Sequence, residues 1–160
     1  MKITLAVLTL VGSLGLVSVF SAWAQGPPDS AMAKQIVATV DKAASLINAK
    51  GKSIFPEFRQ KGSEWFNGDL YLFVADNTGV ELFNAAFPKY EGVNTNDMKD
   101  PNGKLVQIEL IKMAQERGSG WVDYLWPKPG QSQPSQKWAY VKAVNVDGTP
   151  GFVGAGFYPQ

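Results

Sequence analysis

The spacing of apolar residues changes several times along the chain, and each change marks an element. Residues 4–20 (TLAVLTLVGSLGLVSVF) carry no charge and are mostly apolar. From Ala31 to Lys50 the apolar residues Ala33, Ile36, Val37, Val40, Ala44 and Ile47 recur every three or four positions. That spacing predicts a helix with one buried stripe. Asp29 or Ser30 supplies an N-cap, and Gly51 a stop. Ile54 to Gln60 predicts a short second helix with Pro56 at its first position. The period then shortens. Asp69 to Ala75 (DLYLFVA) is aromatic and apolar and of strand length. Asp76-Asn77-Thr78-Gly79 is turn chemistry, and Val80 to Ala85 is the returning strand of a hairpin. Residues 86–103 predict a long loop, of a kind that often closes a functional site. Leu105 to Arg117 returns to helical spacing through Leu105, Ile108 and Ile111, with Leu110 and Ala114, and Gly118 follows it. Three strands complete the chain: Gly120 to Trp126, Lys137 to Val146, and Gly151 to Tyr158, the last two joined by Asp147-Gly148. The order predicts an α+β domain built on a five-stranded antiparallel sheet. The first helix covers one face, and the loop and later helix cover the other.

The uncharged run at the start has a separate meaning. Lys2 precedes it, and Ala22-Trp23-Ala24 supplies a small-x-small site before Gln25. This predicts a secretory signal peptide over residues 1–24, cut after Ala24, and a periplasmic or secreted mature chain. The other reading is an uncleaved anchor, for which the run is near the short limit of spanning length. Residues 25–30 form a polar lead, residues 31–160 one domain, and no later segment is long enough to span a membrane.

Composition removes several function classes. The chain has 160 residues, with 15 Lys and Arg against 14 Asp and Glu. Lys2 is the only charged residue among the first 24, so the remainder is balanced. A chain that tracks nucleic-acid phosphates concentrates basic charge instead. Absence of Cys excludes disulfides, thiolate metal sites and Cys nucleophiles. Absence of His removes the commonest general base and the commonest neutral metal ligand. Glu57, Glu64 and Asp123 have no evident catalytic partner, so the chain is not read as an enzyme, and no cofactor or metal is expected. Asn94, Asn96, Asp97, Asp100 and Asn102 do not follow calcium-loop spacing and read as turn residues.

Aromatic residues are unevenly placed. Eight of the chain's nineteen lie between residues 120 and 158. Along the strand at 120–126, Val122, Tyr124 and Trp126 share one face, and Trp121, Asp123 and Leu125 share the other. The cluster is either a plain aromatic core or a wall for a ligand. Lys137 opens the next strand beside these aromatics. It is either a solvated lysine at a strand start or a buried cation awaiting an acidic partner.

Five spaced motifs then carry a resemblance. Gly120-Trp121-Val122-Asp123-Tyr124-Leu125-Trp126-Pro127-Lys128-Pro129-Gly130 is similar to the GWVxYxWPxPG segment of single Cache domains of the second type. Asp69 to Val74 resembles the family's first strand, Asp100-Pro101-Asn102-Gly103-Lys104 its DxNGK turn, Lys137-x-x-Tyr140-Val141-Lys142 its KxxYVK strand, and Gly154-x-Gly156-x-Tyr158 its closing GxGxY. Together they run through residues 31–158. The resemblance implies a PAS-like Cache fold, with a long N-terminal helix packed on a central five-stranded antiparallel sheet. It also implies an extracytoplasmic sensor domain that binds a small molecule, commonly a short carboxylate, in one pocket. Carried over by position, that pocket draws on Tyr71, Phe73, Trp121, Tyr124, Trp126, Lys137 and Tyr140. Many relatives carry a His just after the second strand, where this chain has Asn84.

The expectation for function is a binding domain for a small organic anion. Lys137 pairs the carboxylate, Tyr124 and Tyr140 donate hydrogen bonds, and Trp121, Trp126 and Phe73 wall the apolar end. No output module is read in the sequence, so the domain either hands its state to a membrane sensor or receptor or acts as a free binding protein. The alternative is a protein-interaction module with a vestigial pocket, docked on a membrane sensor.

Overall fold

A computed structural model describes residues 26, 27 and 29–159; the predicted signal peptide lies outside the described residues. Helix α1 spans Ala31–Lys50. Ser30 caps it, its hydroxyl accepting from the Ala33 N–H at 3.1 Å, which satisfies one of the helix's free donors. Ala33, Ile36, Val40, Ala44 and Ile47 of the predicted stripe are buried, joined by Thr39 and Ala43, while Val37 is half-buried. A 3-10 turn at Gly51–Ile54 leads into helix α2, Phe55–Phe58, with Pro56 in its first turn.

The predicted strand at 69–75 is split. Strands β1 (Phe66–Asn67) and β2 (Leu70–Tyr71) form a separate small hairpin, and β3 (Phe73–Asp76) enters the main sheet. Strand β4 is Glu81–Asn84. The turn between β3 and β4 is fixed by the Asp76 carboxylate, which accepts from the backbone N–H groups of Thr78 and Val80 at 2.8 and 3.0 Å. Helix α3 (Val106–Arg117) is followed by β5 (Ser119–Pro127), β6 (Pro134–Val146) and β7 (Thr149–Phe157). The main sheet is five-stranded, ordered β4-β3-β7-β6-β5, with every pairing antiparallel. This is the α+β arrangement expected.

The two faces of the sheet have different covers. Helix α1 packs on β6 and β7, and its Asp41 pairs with Lys142 of β6 at 2.7 Å. Helix α3 packs on β5 and β6 from the other side. Its buried residues are Val106, Gln107, Leu110, Ile111 and Ala114, whereas Leu105 and Ile108 of the expected stripe are exposed. The buried stripe is therefore rotated by about one residue, and it includes a glutamine that apolar spacing cannot flag.

The predicted loop at 86–103 is well tied down. Residues Pro88–Tyr90 form a 3-10 turn. The Gly92 N–H donates to the Glu81 carbonyl at 2.8 Å, and the Glu81 N–H to the Val93 carbonyl at 3.0 Å. The Asp100 carboxylate accepts from the backbone N–H groups of Asn102, Lys104 and Leu125, at 2.9, 2.9 and 3.0 Å. The DPNGK turn is thereby pinned to β5. Its acid serves backbone geometry, as the turn reading expects.

Candidate functional site

The loop and α3 close over the sheet face opposite α1 and leave a cavity of about 40 Å³. Its walls come from β2 and β3 (Tyr71, Phe73), β4 (Glu81, Asn84), β5 (Tyr124, Trp126), β6 (Lys137), the loop (Tyr90, Thr95, Met98) and α3 (Val106, Gln107, Leu110). A buried water needs roughly 10–15 Å³ by this measure, so the space holds about three water-sized atoms' worth of room. That is the scale of a two- or three-carbon molecule, not of a nucleotide or a sugar.

Lys137 dominates the chemistry. It is 1% exposed, and its Nζ donates to the Tyr71 hydroxyl at 2.8 Å. Rings surround the rest of the amine: the Tyr71, Phe73, Tyr158 and Tyr124 centroids lie 4.2, 5.0, 5.6 and 5.7 Å from Nζ. Aromatic faces attract a cation, and more strongly when water is excluded. No carboxylate among the described residues lies within ion-pair range of this amine. Burial pushes the Lys137 amine down to about 7, against a smaller upward pull from Glu81 and Asp69.

Glu81 faces the same space and is 6% exposed. Burial pushes its acid up to about 7; a hydrogen bond from Asn84 and the charge of Lys137 oppose that rise. The Asn84 amide donates to Glu81 Oε1 at 2.8 Å, and its carbonyl oxygen accepts from the Phe87 N–H at 2.8 Å. Asn84 is itself held from below. Arg59 lies over the Phe83 ring, pairs with Glu91 at 2.6 Å and donates to the Asn84 carbonyl, while Glu91 accepts from the Asn84 N–H. Gln107 is 5% exposed, and its Nε2 has no hydrogen-bond partner among the described residues. A buried donor in that condition costs free energy until an acceptor arrives.

The Cache domain family model dCache_2 matches residues 31–158. The chain belongs to the Cache domain family. A solved Cache chemosensory domain, described as recognising carboxylic acid, superposes with a TM-score of 0.69 at 26% identity, covering 81% of this chain and 95% of that one. A periplasmic sensor domain of a chemotaxis protein superposes at 0.63 with 28% identity, covering 81% and 92%. Two methyl-accepting chemotaxis proteins are similar in sequence. McpP of Pseudomonas putida is 30% identical over 58% of this chain, and CtpM of Pseudomonas aeruginosa 30% identical over 71%. These matches cover 17% and 22% of the two relatives, so the chain spans less than a quarter of their length. No helix among the described residues is long and apolar enough to cross a membrane.

Five of the seven residues expected in the Cache pocket line the cavity: Tyr71, Phe73, Tyr124, Trp126 and Lys137. Trp121 and Tyr140 do not. They are cross-strand partners, with ring centroids 5.3 Å apart, on the face covered by α1. Trp121 also borders a surface hollow with Ala33 and Val37 of α1. Strand alternation is the physical reason. An odd number of steps separates Trp121 from Tyr124, and Tyr140 from Lys137, so the members of each pair point to opposite faces. The hydrogen bond expected from Tyr140 to a ligand and the wall expected from Trp121 are therefore withdrawn from this cavity.

The closing glycines make the space. A Cβ on Gly154 would sit 2.6 Å from the Phe73 ring, and one on Gly156 2.7 Å from Lys137 Cε and 2.5 Å from the Trp138 carbonyl oxygen. Both positions leave room for side chains of neighbouring strands. Glu81 and Gln107 escaped the sequence reading. Gln107 gave no signal beyond its place on α3. Glu81 was hidden by a β-bulge. Val74 pairs with Phe83 and Ala75 with Glu81, so Leu82 is an extra residue on β4. The bulge re-aims the side chains that follow it and breaks simple alternation.

Proposed function

We propose that this Cache domain is an extracytoplasmic sensor domain that binds a short monocarboxylate in the cavity around Lys137. One observation carries the reading: a buried lysine faces this cavity and has no acid among the described residues within ion-pair range. Buried charges are normally paired, and the missing partner is assigned to the ligand. The ligand's carboxylate accepts from Lys137 Nζ, which has two further N–H donors beyond the one given to Tyr71. It also accepts from Gln107 Nε2. Phe73, Trp126 and Leu110 enclose its apolar end. The structural neighbour described as recognising carboxylic acid supports this class of ligand. The periplasmic neighbour supports the placement outside the cytoplasm, with residues 1–24 as the export signal.

Size limits the affinity. At about −1.5 kcal/mol per heavy atom, a five-atom acid is capped near −7.5 kcal/mol, a low-micromolar dissociation constant. On this reading the site binds its ligand and leaves it unchanged. The test is a thermal-shift screen against acetate, propionate, lactate, pyruvate, amino acids and amines. A ligand that binds only the native state adds about 2.7 kcal/mol of stability at a hundredfold excess over Kd. A rise with short monocarboxylates alone is expected. A cooperative melt that none of them moves would overturn the reading in favour of a partner-docking module.

A further inference from the structure

We propose that a monocarboxylate enters this cavity together with one proton, and that Glu81 carries that proton in the loaded state. The inference rests on the carboxylate reading above and gives Glu81 the role of setting the net charge the site accepts. It begins with placement. Glu81 and Lys137 line one cavity of about 40 Å³ and are both nearly inaccessible, yet they are outside ion-pair range of each other. A ligand seated between them meets both.

Charge balance then decides the protonation. The empty pair is neutral when it holds one proton between its two groups, either as ammonium and carboxylate or as amine and acid. A bound monoanion requires the ammonium. If Glu81 stayed ionised, the loaded cavity would hold one positive and two negative groups. An uncompensated buried charge is strongly disfavoured. With Glu81 protonated the loaded site is neutral again. The pair then holds two protons instead of one, whichever of those two neutral forms the empty site had, and an empty pair that has lost both takes up two. The anion and a proton from solvent enter, and no bond other than Oε–H is formed.

The surroundings of Glu81 favour its neutral form. From its own strand, Asn84 donates to one carboxylate oxygen, Oε1. From the loop, Glu91 adds a second negative charge nearby, itself engaged by Arg59. From β5 and β2, burial holds the Tyr124 and Tyr71 phenols neutral, so neither adds a charge beside Glu81. From β6, Lys137 is a cation that acts on it, and the ligand competes for that cation. A protonated Glu81 offers the ligand's second oxygen an O–H donor, where an ionised one would repel it. A dicarboxylate would leave a buried negative charge even so, and the site refuses it.

The test uses the purified protein with acetate, propionate, lactate and pyruvate at pH 8, where each probe is ionised. Titration calorimetry in two buffers of different ionisation enthalpy counts the protons taken up. Infrared difference spectroscopy, with the probe labelled at its carboxyl carbon, reads whether a protein carboxylic acid forms. The expected result is uptake of about one proton or more, with a new carboxylic acid band that the probe's label does not shift and that is missing in Glu81→Gln. Binding without proton uptake overturns the inference and leaves the carboxylate reading standing. Uptake without the acid band assigns the proton to Lys137 and also overturns it. If no probe binds to a protein that melts cooperatively, the carboxylate reading falls, and this inference with it. The proton count and band in the unmodified protein decide the matter even if Glu81→Gln does not fold.

Discussion

Lys137 Nζ and the Tyr71 hydroxyl are joined by a 2.8 Å hydrogen bond between residues 66 positions apart. Tyr71 lies on the small β1–β2 hairpin, outside the main sheet, and Lys137 lies on β6. The bond fixes the ammonium at the edge of the cavity with two donors unused. It also separates two roles for the lysine, in binding and in stability.

Replacing Lys137 with Met tests that separation. Methionine fills similar space and needs no counter-ion. Loss of a charge-assisted hydrogen bond costs about 1.5–3 kcal/mol, so carboxylate affinity should fall by about ten- to a hundredfold. Stability at pH 7 should not fall, because burial already disfavours the charged amine. Calorimetry and thermal melts of Lys137→Met check both. Unchanged affinity in the folded variant would remove Lys137 from the binding site.

The pH dependence of stability in the empty protein should have a minimum near neutrality. Glu81 is raised from 4.5 to about 7. Between those values the folded state keeps a proton that the unfolded chain has lost, so stability falls as pH rises through that window. Lys137 is lowered from 10.5 to about 7. Above 7 the unfolded chain holds the extra proton, so stability rises with pH toward 10.5. Each limb is of order 3–5 kcal/mol if fully expressed. Denaturant titrations from pH 5 to 10 should show Glu81→Gln without the acid limb and Lys137→Met without the alkaline one. Curves parallel to the unmodified protein would contradict the burial of both groups.

Gln107→Leu should act oppositely on stability and binding. The Gln107 Nε2 is buried without an acceptor among the described residues, so removing it relieves a cost of about 1–3 kcal/mol in the empty protein. The same change removes a donor from the ligand, and affinity should fall about tenfold. A variant that melts higher when empty yet binds more weakly is the expected pattern. Parallel loss of both would show that Gln107 serves only packing.

The main elements were legible because burial and period coincide in them. Helix α1 matches its predicted ends at Ala31 and Lys50, since Ser30 and Gly51 stop a clear apolar stripe. The three long strands were legible within a few residues for the same reason. Three features were not. The strand at 69–75 breaks at Leu72, where its two ends pair with different partners. Glu81 is displayed by a bulge, and bulges depend on the register of two strands, which one strand's pattern does not contain. Trp121 and Tyr140 entered the expected pocket through motif positions, although alternation along β5 and β6 already separated them from Tyr124 and Lys137.

Trp121 therefore offers a control on the opposite face. Its ring packs against Tyr140 and Phe157, with centroids at 5.3 and 6.0 Å. Trp121→Ala removes those contacts and should cost stability, up to about 3 kcal/mol for a half-buried ring. Carboxylate affinity should stay within about twofold, because no atom of the cavity wall is changed. A large affinity loss at unchanged stability would place the binding site on the α1 face instead.

Gly156 joins the geometry of the sheet to that of the cavity. An alanine there puts a methyl group 2.7 Å from Lys137 Cε and 2.5 Å from the carbonyl oxygen of Trp138. The lysine stem can swing, but the backbone carbonyl belongs to the β6–β7 ladder and cannot yield without loss of pairing. Overpacking of this kind costs about 1–3 kcal/mol. Any relaxation that spares the ladder moves the Lys137 stem and weakens its 2.8 Å bond to Tyr71. Gly156→Ala should therefore lower both the melting temperature and carboxylate affinity. In the Lys137→Met background the same substitution should still destabilise the fold, through the Trp138 carbonyl, but should cause little further loss of binding. A double-mutant cycle over Gly156 and Lys137 measures this difference. Additive effects on affinity would mean that the glycine acts without moving the lysine.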